Sequence, residues 1–110
     1  MPRGDFLGSL EHLVLLALVR LHPNAYGMTI RREIEERTGR NISIGAVYAT
    51  LDRLEAKGYV SSSLGEATAA RGGRAKRMFR LEADGELSLR ASQQAIHKMT
   101  VGLRKRWRTT

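Results

Sequence analysis

The chain contains no cysteine and only two prolines among its 110 residues. Without thiols it has neither a disulfide framework nor thiolate chemistry. No apolar run approaches the ~18 residues that a membrane span needs, and the first residues do not lead into a signal-peptide pattern. These absences, together with the length, predict a cytoplasmic protein that consists of a single domain.

Groups that carry catalysis are also scarce. His12, His22 and His97 lie far apart, and no pair of them has the helical spacing of metal ligands. The serines at 61–63 lack the flanking glycines of a nucleophile elbow. We therefore expect no enzymatic activity, with no catalytic residues, no metal and no cofactor.

Basic residues outnumber acidic ones by 19 to 11, which gives a net charge of +8 and a pI near 10.8. A surplus of this sign favours a polyanionic partner, either a nucleic acid or an anionic membrane surface. The apolar share of 42% is that of an ordinary globular protein. The core of such a short chain is small, and domains of this size often gain stability by oligomerising.

Residues 43–58 have the pattern of an amphipathic helix. Ser43 can cap its start, and Gly58 can end it in a left-handed conformation. One side carries an apolar stripe at spacings of three and four, formed by Ile44, Val47, Leu51 and Leu54. The opposite side begins with small residues, as a helix that enters a DNA groove requires. An ordinary amphipathic surface helix is the alternative.

Two helices are predicted upstream of this one. Residues 10–21 are apolar almost all round and follow a candidate cap at Ser9, so we expect part of this helix to pack against a second subunit. A fully internal core helix in a monomer is the alternative. Residues 26–38 form a second helix with a charge-paired outer surface, which Gly39 ends. Together with residues 43–58 it makes a helix-turn-helix whose second helix is the reader.

Two strands, at 59–64 and 78–81, are predicted to flank a basic glycine turn. Glycine lets a backbone approach a phosphodiester closely, and the turn carries four positive charges with no acidic residue among them. A helix-turn-helix followed by a strand, a basic loop and a strand is the layout of a winged helix. The alternatives are a solvated hairpin tip and a disordered RNA-binding tract of the Arg-Gly-Gly type.

The remaining segment is predicted to be one long helix, from a start within 82–86 to about residue 106. Leu89, Ile96 and Leu103 repeat every seven residues along it. We expect it to pair with a second subunit; packing on its own domain or on a membrane surface is the alternative. The predicted fold class is mainly α with a small β-hairpin wing. A winged helix-turn-helix domain spans 1–82 and a C-terminal dimerisation helix spans 83–110.

Over about residues 6–107, the chain resembles the short-form PadR-like transcriptional regulators. The matching stretches are residues 7–11, 15–18, 25–28, 47–60 and 73–81. The chain departs from the family pattern at Ala49, where proline is frequent, and at Met78-Phe79, where a tyrosine pair is frequent. The resemblance implies a homodimeric winged-helix repressor whose C-terminal helix is the dimerisation element.

Double-stranded DNA is the expected partner, in the form of a near-palindromic operator bound by a homodimer. Tyr48 and Arg53 are expected to hold phosphates, and the basic turn is expected to add phosphate or minor-groove contacts. The full set of expected DNA contacts is Ser43, Gly45, Tyr48, Thr50, Arg53, Arg71, Gly73, Arg74, Lys76 and Arg77.

Relatives in the family bind aromatic or cationic compounds between subunits. This implies a small aromatic or cationic effector in a cavity lined by Met99 and Trp107. The alternative functions are a ligand-sensing adaptor and a general nucleic-acid-binding protein with weak sequence specificity. The expected location is the cytoplasm, in association with the nucleoid and with no membrane partner.

Overall fold

The computed structural model describes residues 7–65 and 75–109. Five helices and two strands follow one another along these ranges: α1 (Ser9–Leu21), α2 (Gly27–Thr38), α3 (Ile44–Ala56), β1 (Val60–Leu64), β2 (Arg77–Leu81), α4 (Ala83–Thr100) and α5 (Leu103–Thr109). The fold is therefore mainly helical with one antiparallel hairpin, as the sequence predicted. Within the described ranges, no helix is long and apolar enough to cross a membrane.

Local capping chemistry sets the limits of the helix-turn-helix. Gly39 ends α2 with a φ of 72° and Gly58 follows α3 with a φ of 78°, a region that costs glycine little. The Ser43 hydroxyl accepts the Ala46 N–H at 3.1 Å at the start of α3. All three roles were predicted from the sequence.

The prediction of Ser9 as the cap of α1 was wrong by one residue. Gly8 is the N-cap, and Ser9 is the first helical residue. The Glu11 side chain folds back to accept the Gly8 N–H at 2.9 Å. This bond is one half of a capping box: it satisfies the Gly8 N–H, which a helix start leaves without a backbone partner.

The hairpin is joined to the helices through the backbone. β1 pairs antiparallel with β2, with Val60 opposite Leu81 and Leu64 opposite Arg77. At the start of α2, the Phe79 N–H donates to the Ala25 carbonyl at 2.8 Å. Because of this bond, the base of the hairpin has a defined position relative to the helix-turn-helix.

The core lies between α1, α2, α3 and the hairpin. Its members are apolar side chains at most a few per cent exposed, among them Val14, Leu15, Leu18, Ile30, Ile34, Val47, Leu51, Leu54, Val60 and Phe79. The apolar stripe predicted for α3 supplies Val47, Leu51 and Leu54 of this set. Burying a side chain of this size contributes ~1.5–3 kcal/mol, so α3 is held by its inner side and presents the other outward.

Much of α1 is covered within the chain, because α2, α3, β2 and α4 all contact it. Val14, Leu15, Ala17 and Leu18 are buried, whereas Val19 is 54% exposed. That a second subunit covers part of α1 therefore remains a prediction. It concerns only the side of α1 that carries Val19.

The single long C-terminal helix was a wrong prediction. α4 ends at Thr100, Val101 adopts an extended ψ of 128° and Gly102 has a φ of 84°, after which α5 begins at Leu103. A left-handed glycine interrupts the helical backbone, so the seven-residue repeat does not continue on one straight helix. Leu89 is buried on the domain, whereas Ile96 is 51% exposed.

Candidate nucleic-acid interface

The N-terminal end of α3 presents a bare surface. Ser43, Gly45 and Ala49 are exposed, and nothing lies within 4 Å of the place where a Gly45 Cβ would stand. A duplex could approach the backbone here without displacing side chains. Ser43 and Gly45 are thus placed on the accessible side of the helix, as the sequence reasoning required.

Tyr48 lies half-buried on α3, with the far end of its ring over the first turn of α2. A Cβ on Gly27 would overlap that ring. Glycine at position 27 therefore permits a close contact between the two helices, and the contact places the Tyr48 ring beside the base of the hairpin. The sequence alone does not predict this contact, because a glycine at position 27 is equally compatible with an ordinary helix start.

Thr50 lies in the interior, although a base-edge or backbone contact was expected of it. It is 1% exposed, and its hydroxyl donates to the Ala46 carbonyl at 2.8 Å. The same oxygen accepts from Arg53 Nη2 at 3.2 Å. The Thr50 hydroxyl is hydrogen-bonded inside the protein and does not face a duplex. The DNA contact predicted for Thr50 from the sequence was therefore wrong.

Arg53 remains accessible at the C-terminal half of α3, with 57% of its side chain exposed. It lies 3.9 Å from the Glu11 carboxylate, which also accepts from Lys57 Nζ at 3.1 Å. Glu11 therefore connects the first turn of α1 to the end of α3. A phosphate contact by Arg53 is compatible with its exposure.

Glu11 is nearly buried yet ionised. Burial raises the pKa of its carboxyl group, but the Gly8 N–H and the Lys57 ammonium, with Arg53 further away, together lower that pKa below its ordinary value. The carboxylate thus stabilises the folded state at neutral pH. This stabilisation is present above the pKa of the unfolded chain and is lost as the pH falls through the pKa of the folded state.

A pH titration of stability tests this. We expect the free energy of unfolding of the wild type to fall more steeply between about pH 5 and pH 3 than that of Glu11→Gln, which has no charge to lose at that position. The measurement is urea unfolding followed by circular dichroism across that range. Parallel curves for the two proteins would show that Glu11 contributes nothing to the acid sensitivity.

Arg77 is bound within the protein. Its guanidinium donates to Glu55 Oε1 at 2.6 Å, to Asp52 Oδ1 at 3.3 Å and to the Ser62 hydroxyl at 3.2 Å. Asp52 and Glu55 lie on α3, so this arginine attaches the hairpin to the predicted reading helix. Two carboxylates balance its charge, and a DNA phosphate would compete with them for the same donors.

The other expected contacts of the basic turn divide into two groups. Arg71, Gly73 and Arg74 lie outside the described residues. Lys76 immediately precedes β2, where the basic turn joins the paired strands, and its ammonium is 3.5 Å from the centroid of the Tyr26 ring. An ammonium over an aromatic face is attracted by the ring quadrupole, so the Lys76 side chain has a preferred position beside α2.

Lys76 borders an open cleft with a volume of about 680 Å³, which we call the wing-base cleft. Its lining residues come from α2, α3 and the hairpin: Tyr26, Met28, Arg32, Tyr48, Ala75, Lys76 and Arg77. Neither Tyr26 nor Arg32 was predicted from the sequence to lie at an interface. Arg32 was predicted to belong to the charge-paired outer surface of the second helix.

That pairing forms only in part. Arg31 lies 3.4 Å from Glu35, and Arg37 pairs with Glu33. Among residues 7–65 and 75–109, Arg32 has no carboxylate within ion-pair distance. Spacing along a helix permits an ion pair but does not require one, and the exposed Arg32 is therefore available to an external anion.

The two residues expected around an effector lie on different helices. Met99, on α4, is 77% exposed and Trp107, on α5, is 66% exposed, with the break at Gly102 between them. A metal site is a separate matter. Over the described ranges, no three histidine, aspartate or glutamate side chains are grouped so that they could hold a metal ion.

Comparison with known proteins places this geometry in a family. The profile of the transcriptional regulator PadR-like family matches residues 15–91, a span from the middle of α1 to the middle of α4. The chain belongs to this family of transcriptional regulators. The resemblance stated from the sequence motifs is confirmed.

Solved structures of PadR-type regulators share the fold. A PadR family transcription regulator from Clostridium difficile R20291 has a TM-score of 0.71 at 20% identity, over 89% of this chain and 97% of that one. A PadR family regulator from Eggerthella lenta DSM 2243 has a TM-score of 0.68 at 24% identity, over 89% and 83%. A PadR-like regulator from Bacillus cereus ATCC 14579 has a TM-score of 0.71 at 17% identity, over 87% and 88%. A search of curated proteins found no match.

Proposed function

We propose that this PadR-like regulator is a dimeric repressor that binds a near-palindromic operator in double-stranded DNA. The observation that carries the proposal is the attachment of the hairpin base to α3 by the Arg77–Glu55 and Arg77–Asp52 ion pairs. Because of it, α3 with its bare N-terminal surface and the start of β2 form one unit, and we propose that a duplex contacts both at the same time.

We propose different roles for the two parts of the chain. Residues 1–82 bind DNA, with Ser43 and Gly45 against the backbone or base edges and Tyr48 and Arg53 on phosphates. The basic turn adds Arg71, Gly73, Arg74 and Lys76, whereas Arg77 contributes mainly by holding the hairpin. Residues 83–110 pair the subunits, although the first turns of α4 also pack on the domain through Leu89.

Exposed apolar side chains support the pairing. The apolar side chains that are more than half exposed are Leu87, Ile96 and Met99 on α4, Val101 between the two helices and Trp107 on α5. Exposed apolar surface along one segment of the chain is a feature of protein contacts. A second copy would bury it and, by two-fold symmetry, would set two α3 helices about 34 Å apart along one face of the duplex.

Selection from a random duplex library tests the proposal directly. We expect the selected sites to be near-palindromes, bound by a species with the mass of a dimer. With about eight phosphates neutralised, the slope of log affinity against log salt should be near −7. A slope close to zero, or a monomer on the selected DNA, would contradict it. Selected duplexes with no shared sequence would favour the general nucleic-acid-binding alternative.

Effector binding is a finer part of the proposal. A small aromatic or cationic compound would enter between the paired C-terminal helices, where Met99 and Trp107 lie on exposed surface. Such a ligand should quench the fluorescence of Trp107, the single tryptophan of the chain, and change the affinity for the selected DNA. A compound that changes neither quantity does not bind as an effector at this place.

A further inference from the structure

The wing-base cleft has an unbalanced positive charge. Three of its lining residues are cationic, and none of the lining residues is acidic. Arg77 is neutralised by Asp52 and Glu55, which lie outside the cleft on the α3 side. Arg32 and Lys76 have no such carboxylate among the described residues. An exposed arginine and a half-exposed lysine that line the same cleft favour a bound anion.

The start of α2 adds to this positive potential, and the Tyr26 ring offsets only part of it. The first turn of α2 runs beside the cleft, and the positive end of a helix macrodipole repels a nearby ammonium. The Tyr26 ring compensates Lys76 in part, through the contact of 3.5 Å to its centroid. The ring also fixes the ammonium at the edge of the cleft, where it would otherwise be free to extend into solvent.

We propose that the wing-base cleft binds one phosphodiester of the duplex backbone, held between Arg32 and Lys76. Tyr26 acts as a positioning residue for the lysine, and Tyr48 forms the wall towards α3. This assignment rests on the proposed DNA-binding function and adds Arg32, on the first helix of the helix-turn-helix, to the contact surface. The cleft adjoins the hairpin base, so a backbone that passes the start of α3 also passes its mouth.

Salt dependence separates a phosphate contact from a structural role. On a mixed-sequence duplex, Arg32→Gln and Lys76→Gln should each reduce the magnitude of the log–log salt slope, and the two together should reduce it by about 0.9, the value for one phosphate. The matched control is Arg37→Gln, a charge loss on the same helix at a residue that is paired with Glu33. The control should keep the wild-type slope.

The positioning role of Tyr26 has its own test. Tyr26→Leu should reduce the salt slope, whereas Tyr26→Phe, which keeps the aromatic face, should retain it. Adding Lys76→Gln to Tyr26→Leu should change the slope less than it does in the wild type, because the lysine is no longer held in place. Circular dichroism and thermal unfolding confirm that each variant is folded. Equal slope losses in both backgrounds would overturn the positioning role.

A phosphate-level readout completes the test. One neutral methylphosphonate is moved along each strand of a duplex obtained by selection. The affinity of the wild type should fall when the neutral linkage replaces the phosphate that binds in the wing-base cleft, which occurs once in each half-site. The affinity of a protein with both Arg32→Gln and Lys76→Gln should not change when the linkage is placed there. If the wild type has a steep salt slope that both single variants retain, the cleft is not a phosphate site, while the proposed function stands. If the wild type itself has no salt slope, the proposed function fails.

Discussion

Replacing Arg74 and Lys76 together by glutamate should lower the affinity for duplex DNA about a hundred-fold or more at 0.1 M salt. Each lost phosphate contact removes ~0.9 from the log–log slope, or roughly eight-fold in affinity relative to 1 M salt. Two losses give about sixty-fold, and repulsion between the new carboxylates and the backbone adds to this. Fluorescence anisotropy with a labelled duplex across a salt series measures both quantities.

The same change in net charge made elsewhere provides the control. Arg90→Glu with Lys98→Glu alters two exposed residues of α4, outside the proposed DNA-binding residues 1–82, and the dimer mass of this variant is verified first because α4 belongs to the proposed subunit contact. That variant should lose much less affinity, and its salt slope should stay close to that of the wild type. Equal losses in the two double variants would show that DNA senses only the total charge of the protein. The basic turn would then have no special part in binding.

Gly85→Ala should destabilise the folded protein by about 3 kcal/mol, at the upper end of the range for overpacked sites. A Cβ at this position of α4 would overlap the Tyr59 carbonyl and stand 2.9 Å from Leu81 Cδ1. The Tyr59 carbonyl also accepts the Glu82 N–H at 2.9 Å. Backbone atoms held by such a bond cannot move aside cheaply, so the whole start of α4 must shift. Urea unfolding followed by circular dichroism gives the change.

Gly45→Ala is the matched control, since it adds the same methyl group to a helix with nothing within 4 Å. There alanine should stabilise the protein by about 0.5–1 kcal/mol, because glycine loses more backbone entropy in a helix. The opposite signs at positions 85 and 45 are the expected result. A gain in stability at both positions would mean that helix propensity, and not the contact with Tyr59, decides the outcome.

Features that depend on a few neighbouring residues were predictable from the sequence. The Ser43 cap and the left-handed Gly39 and Gly58 follow from local backbone chemistry, and all three were placed correctly. The apolar stripe of α3 was also correct, because a helical period determines which side chains share a face. Gly102 is a comparable local signal for the end of a helix. The single long helix was predicted instead from the seven-residue repeat of leucine and isoleucine.

Side-chain partners that come from distant segments were not predictable. Arg77 was expected on DNA, yet it pairs with Glu55 across 22 residues of sequence. Thr50 is a different case: it was expected on the reading surface but is buried, and its spacing of three from Val47 and four from Leu54 already places it on the apolar side of α3. Arg32 was expected to be paired, and it lies on the wing-base cleft instead.

The sequence by itself thus determined the order of the first three helices, the ends of α2 and α3, the hairpin and the positive charge, because each depends on local periodicity or on composition. Only the tertiary structure decided which cations are neutralised inside the protein and which remain available to a polyanion. That division depends on distances of a few ångströms between residues far apart in the chain, and Coulomb interactions at such distances are strong enough to select one partner over another.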